Sequence, residues 1–122
     1  MAEKQKLVIV LTRGMDDERS SVAWSIANAS LACDFEVTMF LTSSGLDWVR
    51  KGAADRAHLN PFDPPMKDLI HGFLEQGGVV MACPPCAQVR GYSEESFIDG
   101  VVVAGAPAML EKIKAGASTL CF

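Results

Sequence analysis

Apolar residues along this chain gather into short unbroken runs, separated by longer stretches of helical period. Residues 6–12 (KLVIVLT), 37–41 (VTMFL), 79–82 (VVMA), 101–104 (VVVA) and 118–122 (STLCF) read as strands. Most are continuously apolar rather than alternating, which fits strands covered on both faces, as in a parallel sheet. Three helical patterns lie between them. The first begins near Asp16-Asp17, acids placed where a helix dipole favours them, and puts Val22, Ile26, Ala29 and Cys33 on one stripe. The second covers residues 65–76, repeats Met66, Leu69, Ile70, Phe73 and Leu74 at helical spacing, and stops at Gly77-Gly78. The third carries Ala106, Met109, Leu110 and Ile113 before Gly116. Alternation of this kind predicts an α/β fold: a mainly parallel five-stranded sheet, doubly wound, with helices on both faces.

Residues 42–64 are the irregular part, with a short helix expected over 46–51 and a Pro-rich loop after it. Loops at the carboxyl ends of parallel strands are where such sheets bind ligands. No repeat or linker interrupts the chain, so residues 1–122 are expected to form one domain, a size that supports one genuine core.

Charge and composition narrow the partners. The net charge is −4, and only Arg50-Lys51 are adjacent bases, so no basic stripe exists for nucleic acid. No apolar run reaches the roughly 20 residues that cross a bilayer, and the N-terminus lacks a signal peptide's order. Both observations predict a cytoplasmic protein that engages neither nucleic acid nor membrane. Four cysteines in a reducing compartment are thiols or ligands before they are structural disulfides.

Two of those cysteines stand in Cys83-Pro84-Pro85-Cys86, directly after a strand and so at the carboxyl edge of the sheet. Prolines push the residues before them out of the α region, so Cys83 and Pro84 are expected to be extended, with Pro85 opening a helical turn. Asp63-Pro64-Pro65 starts the second helix in the same way, with a carboxylate where Cys83 has sulfur. A thiolate at Cys83 is therefore expected to face the free N–H groups of Cys86 and Ala87, which lower a thiol pKa. Gly91 suits an early stop to that helix. Cys33, on the first helix's stripe, reads as packing. Cys121 ends a strand on the same edge as Cys83 if all strands are parallel, and core packing is the preferred reading for it too.

Other chemistries fit less well. Zinc needs about four ligands, and Cys33, Cys121, His58 and His71 form no second pair at ligand spacing, so no metal is expected. A phosphatase loop requires an arginine where Val89 stands. Gly14 lies between the first strand and helix and could let a helix N-terminus approach an anion, which makes it a candidate binding residue. Its surroundings (TRGMDDERS) lack a dinucleotide fingerprint, and no cofactor is expected. A thioredoxin-type dithiol is the serious rival, although its cysteine pair opens a long helix early in the domain.

Taken in order, "VIVLTRGMDDERSSVAWSIANAS", "EVTMFLTSSGLDWVRKG", "MACPPCAQVRGY" and "FIDGVVVAGAPAMLEKIKAGASTLCF" make the chain similar to a known group over nearly its whole length. It resembles the DsrE/DsrF-like family of small sulfur-relay proteins with the YchN-like fold. The resemblance implies a five-stranded α/β domain assembled as a homotrimer or hexamer. It also implies a sulfurtransferase or sulfur carrier in which Cys83 holds sulfur as a persulfide, between donor and acceptor proteins. Cys86 matches a second cysteine found in some relatives, which would resolve or modulate the persulfide. Arg90 would steady the added negative charge if it turns back toward the loop. Asp34 stands where the family commonly has glycine, and the two prolines stand where it often has polar residues. The alternative is an oligomeric redox-sensing or scaffold module whose Cys83/Cys86 pair toggles between dithiol and disulfide. Self-association is further expected from Phe122 and from Trp24, Trp48 and Phe62, aromatics read as lying outside so small a core.

Overall fold

The computed structural model describes residues 3–122. Five strands, β1 Lys6–Leu11, β2 Glu36–Leu41, β3 Val79–Ala82, β4 Val101–Val103 and β5 Ser118–Cys121, form one sheet in the order β4-β3-β2-β1-β5. Every pairing is parallel, as the unbroken apolar runs lead one to expect. Helices α1 Arg19–Ala32, α2 Met66–Glu75 and α3 Pro84–Val89 carry the chain from β1 stepwise to β4. Helix α4 Ala106–Lys114 then returns it across the sheet to lay β5 beside β1. Because crossovers of one hand in opposite directions use opposite faces, α4 lies on the face away from α1 and α2.

The two faces are filled unequally. Leu7, Ile9, Leu11, Val37, Met39, Leu41, Val80 and Ala82 point to the face that α1 and α2 cover, and join Trp24, Met66, Ile70 and Phe73 in the main core. Trp24 meets Phe73 edge to face with ring centres 5.8 Å apart, a geometry worth about 1 kcal/mol beyond the area it buries. On the opposite face Val8, Phe40 and Met81 form a smaller cluster against Ala108 and Met109 of α4. No residue of α4 is fully buried, and all of β5 is exposed.

The second helical stripe is as the sequence predicts: Met66, Leu69, Ile70 and Phe73 are buried. The first is not. Helix α1 starts at Arg19 rather than near Asp16-Asp17, and its buried face is Ser20, Ala23, Trp24 and Ala27, while Val22 and Cys33 are exposed. Small polar residues could take the inner face because their hydroxyls are satisfied there: Ser20 Oγ donates to the carbonyls of Gly14 and Arg13 at 2.9 and 3.0 Å. Trp24 and Trp48 are buried as well, against the expectation that they lie outside; Phe62 is exposed, as expected. The irregular segment begins with a 3-10 helix at Ser43–Val49, three residues earlier than the predicted short helix.

All four α-helices end in one way. The second residue past each last full turn donates back five positions, from Phe35 to Ser30, Gly78 to Phe73, Tyr92 to Ala87 and Ala117 to Lys112. Its predecessor occupies the left-handed region: Asp34, Gly77, Gly91 and Gly116. This motif satisfies carbonyls that a helix end leaves open, and glycine adopts its left-handed residue without strain. Asp34, at φ 68°, therefore sits where the backbone favours glycine.

Candidate functional site

Strand β3 delivers Cys83 to the carboxyl edge, and its N–H continues the ladder to the Leu41 carbonyl at 3.1 Å. Cys83 is extended (φ −65°, ψ 123°) and is the cap of α3. The helix opens at Pro84, one residue before the predicted start, so Pro84 is helical rather than extended. Starting there costs nothing in donors, because a first-turn N–H has no partner within the helix. Cys86 falls one turn on, and both thiols are half-buried at the mouth of the sheet.

The expected depression of the Cys83 pKa does not occur. Burial pushes the Cys83 thiol up, the neighbouring Cys86 thiol adds to the rise, and the Cys86 N–H opposes it without winning. The second donor counted on is occupied, since the Ala87 N–H bonds the Cys83 carbonyl at 3.0 Å. With two prolines at the start, one free N–H is too little against desolvation.

The sulfur of Cys86 has a partner the sequence did not suggest. The N–H of Ser43, 43 residues away in the turn after β2, donates to Cys86 Sγ at 3.2 Å. Ser43 has φ +50°, a conformation that costs a non-glycine residue roughly 1–2 kcal/mol. Gly14 belongs to the same surroundings. It is buried five residues before α1, so it does not present a helix N-terminus, and a Cβ added there would lie 2.9 Å from Ser44 Cβ. Arg90 does turn back, but onto the backbone: its Nη1 donates to the Cys86 carbonyl at 3.2 Å.

Behind the thiols, Tyr92 donates its hydroxyl to Asp47 Oδ1, and Arg50 lies over the Tyr92 ring. Sequence reading missed this cluster because its members come from two segments far apart in the chain. Tyr92, Phe97, Pro84, Ala87 and Val103 line a cleft of about 190 Å³ beside α3.

The other cysteines stand apart. Cys33 and Cys121 are both exposed, which corrects the packing reading of each. Cys121 is on the same edge as Cys83, but β5 lies three strands from β3. At roughly 4.8 Å per strand the two are about 14 Å apart, beyond disulfide reach. Among the described residues, no three His, Cys, Asp or Glu side chains converge as a metal site, and no helix is long and apolar enough to cross a membrane.

Comparison with known proteins agrees with this architecture. The chain is 32% identical over 116 residues to the uncharacterised protein MK0008 of Methanopyrus kandleri, covering 94% of this chain and 91% of that one. It is 30% identical over 106 residues to the uncharacterised protein MJ0760 of Methanocaldococcus jannaschii, covering 86% of this chain but spanning only 38% of that longer protein. Among solved structures, the YchN protein of E. coli superposes with a TM-score of 0.76 at 17% identity, covering 98% of this chain and 99% of YchN. The protein of unknown function MTH1491 from Methanobacterium thermoautotrophicum gives 0.74 at 16%, covering 98% and 100%. These two likenesses establish the fold. The profile of the DsrE/DsrF-like family matches residues 5–122, and the chain belongs to that family.

Proposed function

We propose that this protein carries sulfane sulfur as a persulfide on Cys83 and passes it to a thiol of an acceptor protein. One observation carries the reading: Cys83 is a half-buried thiol at the carboxyl edge of a parallel sheet, capping a helix whose Cys86 N–H favours its thiolate. Family membership supports it, since the family is associated with sulfur relay. In the first step the Cys83 thiolate attacks the outer sulfur of a donor persulfide. A new S–S bond forms on Cys83, the donor's S–S bond breaks, and the donor leaves as a thiolate that takes up a proton. An acceptor thiolate then attacks the outer sulfur, and Cys83 departs as thiolate. A raised pKa leaves less thiolate at neutral pH but makes each thiolate more nucleophilic, a trade suited to a partner that docks before reacting.

Cys86 modulates the persulfide in this scheme; were it to resolve it instead, its thiolate would attack the inner sulfur, close a Cys83–Cys86 disulfide and release hydrosulfide. Arg90 holds the Cys86 carbonyl and brings positive charge within a turn of the sulfurs. Gly14 shapes the neighbouring turn. We place the protein in the cytoplasm, a reducing compartment in which thiols of this kind persist. A second copy of the chain is proposed to cover the α4 face, where Leu110 and Val102 are each 50% exposed.

The second reading, a dithiol–disulfide toggle, is favoured by the proximity of the two thiols. Intact mass after treating the reduced protein with polysulfide separates them. A gain of about 32 Da that Cys83→Ser abolishes supports the carrier, and a loss of two protons alone supports the toggle. Retention of the added sulfur by Cys83→Ser would reassign it to another cysteine.

A further inference from the structure

Among the described residues, two that are not glycine occupy the left-handed region, and only one has a helix end to explain it. Asp34 terminates α1, whereas Ser43 opens a 3-10 helix after an extended Thr42. Strain of this kind persists where surrounding contacts over-determine it, and it gathers at functional sites. The contacts here are specific. Gly45 bonds back to the Thr42 carbonyl at 2.9 Å, and a Cβ on it would lie 2.3 Å from the Leu11 carbonyl oxygen. Gly14 approaches the same turn, against Ser44 Cβ and the Ser44 carbonyl oxygen. With both close approaches in place, the Ser43 N–H bonds no carbonyl but Cys86 Sγ at 3.2 Å.

We propose that Ser43 and Gly14 are positioning residues: Gly14 admits the 42–45 turn to the place where the Ser43 N–H bonds the Cys86 sulfur, and that bond biases the Cys83–Cys86 pair toward the dithiol. An ionised sulfur accepts a hydrogen bond far better than a sulfur committed to a disulfide, and only the reduced pair can ionise, so the bond is worth more before oxidation than after. A reduced form stabilised in this way makes the couple more oxidising. The inference rests on the carrier reading only for its purpose: a pair held open leaves Cys83 free to accept sulfur rather than locked to its neighbour.

The test is the equilibrium of the full chain with glutathione, in which the dithiol and glutathione disulfide give the protein disulfide and two glutathiones. Peptide mapping reads the oxidised fraction of the pair. Gly14→Ala pushes the turn away without touching either cysteine, and is expected to shift the equilibrium about three- to tenfold toward the disulfide. Ile70→Val, a core truncation on α2, also lowers stability and is expected to leave the equilibrium in place. An unshifted Gly14→Ala, or an equal shift in Ile70→Val, overturns the proposal. Should Gly14→Ala fail to fold, the unaltered protein decides: the Ser43 amide proton resonance is expected to move upfield when glutathione disulfide oxidises the pair, and an unmoved resonance overturns the proposal. Failure of the carrier reading looks different. A wild-type chain that gains no sulfur sinks that reading whatever the glutathione equilibrium does.

Discussion

Tyr92 donates its hydroxyl to the Asp47 carboxylate, tying the end of α3 to the 3-10 helix after β2 across 45 residues of sequence. The Arg50 guanidinium carbon lies 5.3 Å from the centre of the same ring, and Phe97 packs against it edge to face. This latch holds the cysteine helix against the segment that supplies Ser43. Tyr92→Phe keeps the packing and removes the bond, and is expected to cost about 1–2 kcal/mol in urea denaturation.

The same latch sets a pH dependence. Burial pushes the Tyr92 pKa up, and the bond to Asp47 and the charge of that carboxylate push it further. Folded Tyr92 therefore keeps its proton at a pH where the unfolded chain loses it. Its contribution to stability is complete below about pH 10 and drains away as pH rises through the folded value. Tyr92 is the chain's one tyrosine, so tyrosinate absorbance reports it alone. The native midpoint is expected above that of the urea-unfolded protein, and Asp47→Asn is expected to lower it part of the way, since burial remains. Coincident native and unfolded midpoints would contradict the latch.

Thiol labelling tests the Cys83 environment. Exposed Cys33 and Cys121 are expected to react with iodoacetamide first, and the Cys83 rate to keep climbing above about pH 8.5. Cys86→Ala removes a neighbour that raises the Cys83 pKa but keeps the backbone N–H that lowers it. The Cys83 midpoint is thus expected to fall in Cys86→Ala, although burial still holds it up. A midpoint that rises or stays would mean the thiols do not sense one another. Peptide mapping across a pH series reads all four cysteines at once.

Much of this was legible in the sequence, and the misses have physical causes. The inner strands β1, β2 and β3 showed as apolar runs because the sheet buries them, and α2 showed because its apolar residues fall on one face only. Helix α1 spreads apolar residues around its circumference and hides serines inside, so periodicity gave it the wrong phase. The cysteine pair was placed at the right edge by the strand before it. Its ionisation was misjudged because local spacing counts donors but not desolvation. The Ser43–Cys86 and Tyr92–Asp47 bonds join residues more than 40 positions apart, and no local pattern encodes such meetings.

Asp34 offers a stability test independent of the site. At φ 68° it closes α1, and its carboxylate pairs with Lys4 Nζ at 3.1 Å. That pair is exposed and contributes at most about 1 kcal/mol. Asp tolerates the left-handed region better than most residues, whereas a β-branched side chain does not. Asp34→Val is expected to cost about 1–2 kcal/mol, and Asp34→Gly to be the more stable of the two variants although both lose the pair. Equal urea midpoints for the two would show that the helix end is set by something other than backbone conformation.

The α4 face carries the last test. Leu110 and Val102 are each half exposed, and the edge strand β5 has no buried residue. Edge strands and apolar helix faces left open are liabilities that folds cover, by another element or by another chain. A second copy buries them without further cost in sequence, because one surface then serves both subunits. Wild-type protein at micromolar concentration is expected to scatter light as a multiple of one chain. Leu110→Glu places a charge in the middle of the patch without disturbing a buried contact, so it is expected to reduce the particle to a single chain with an unchanged circular dichroism spectrum. A wild-type monomer would overturn the assignment of this face, and a Leu110→Glu variant that still assembles would move the interface elsewhere.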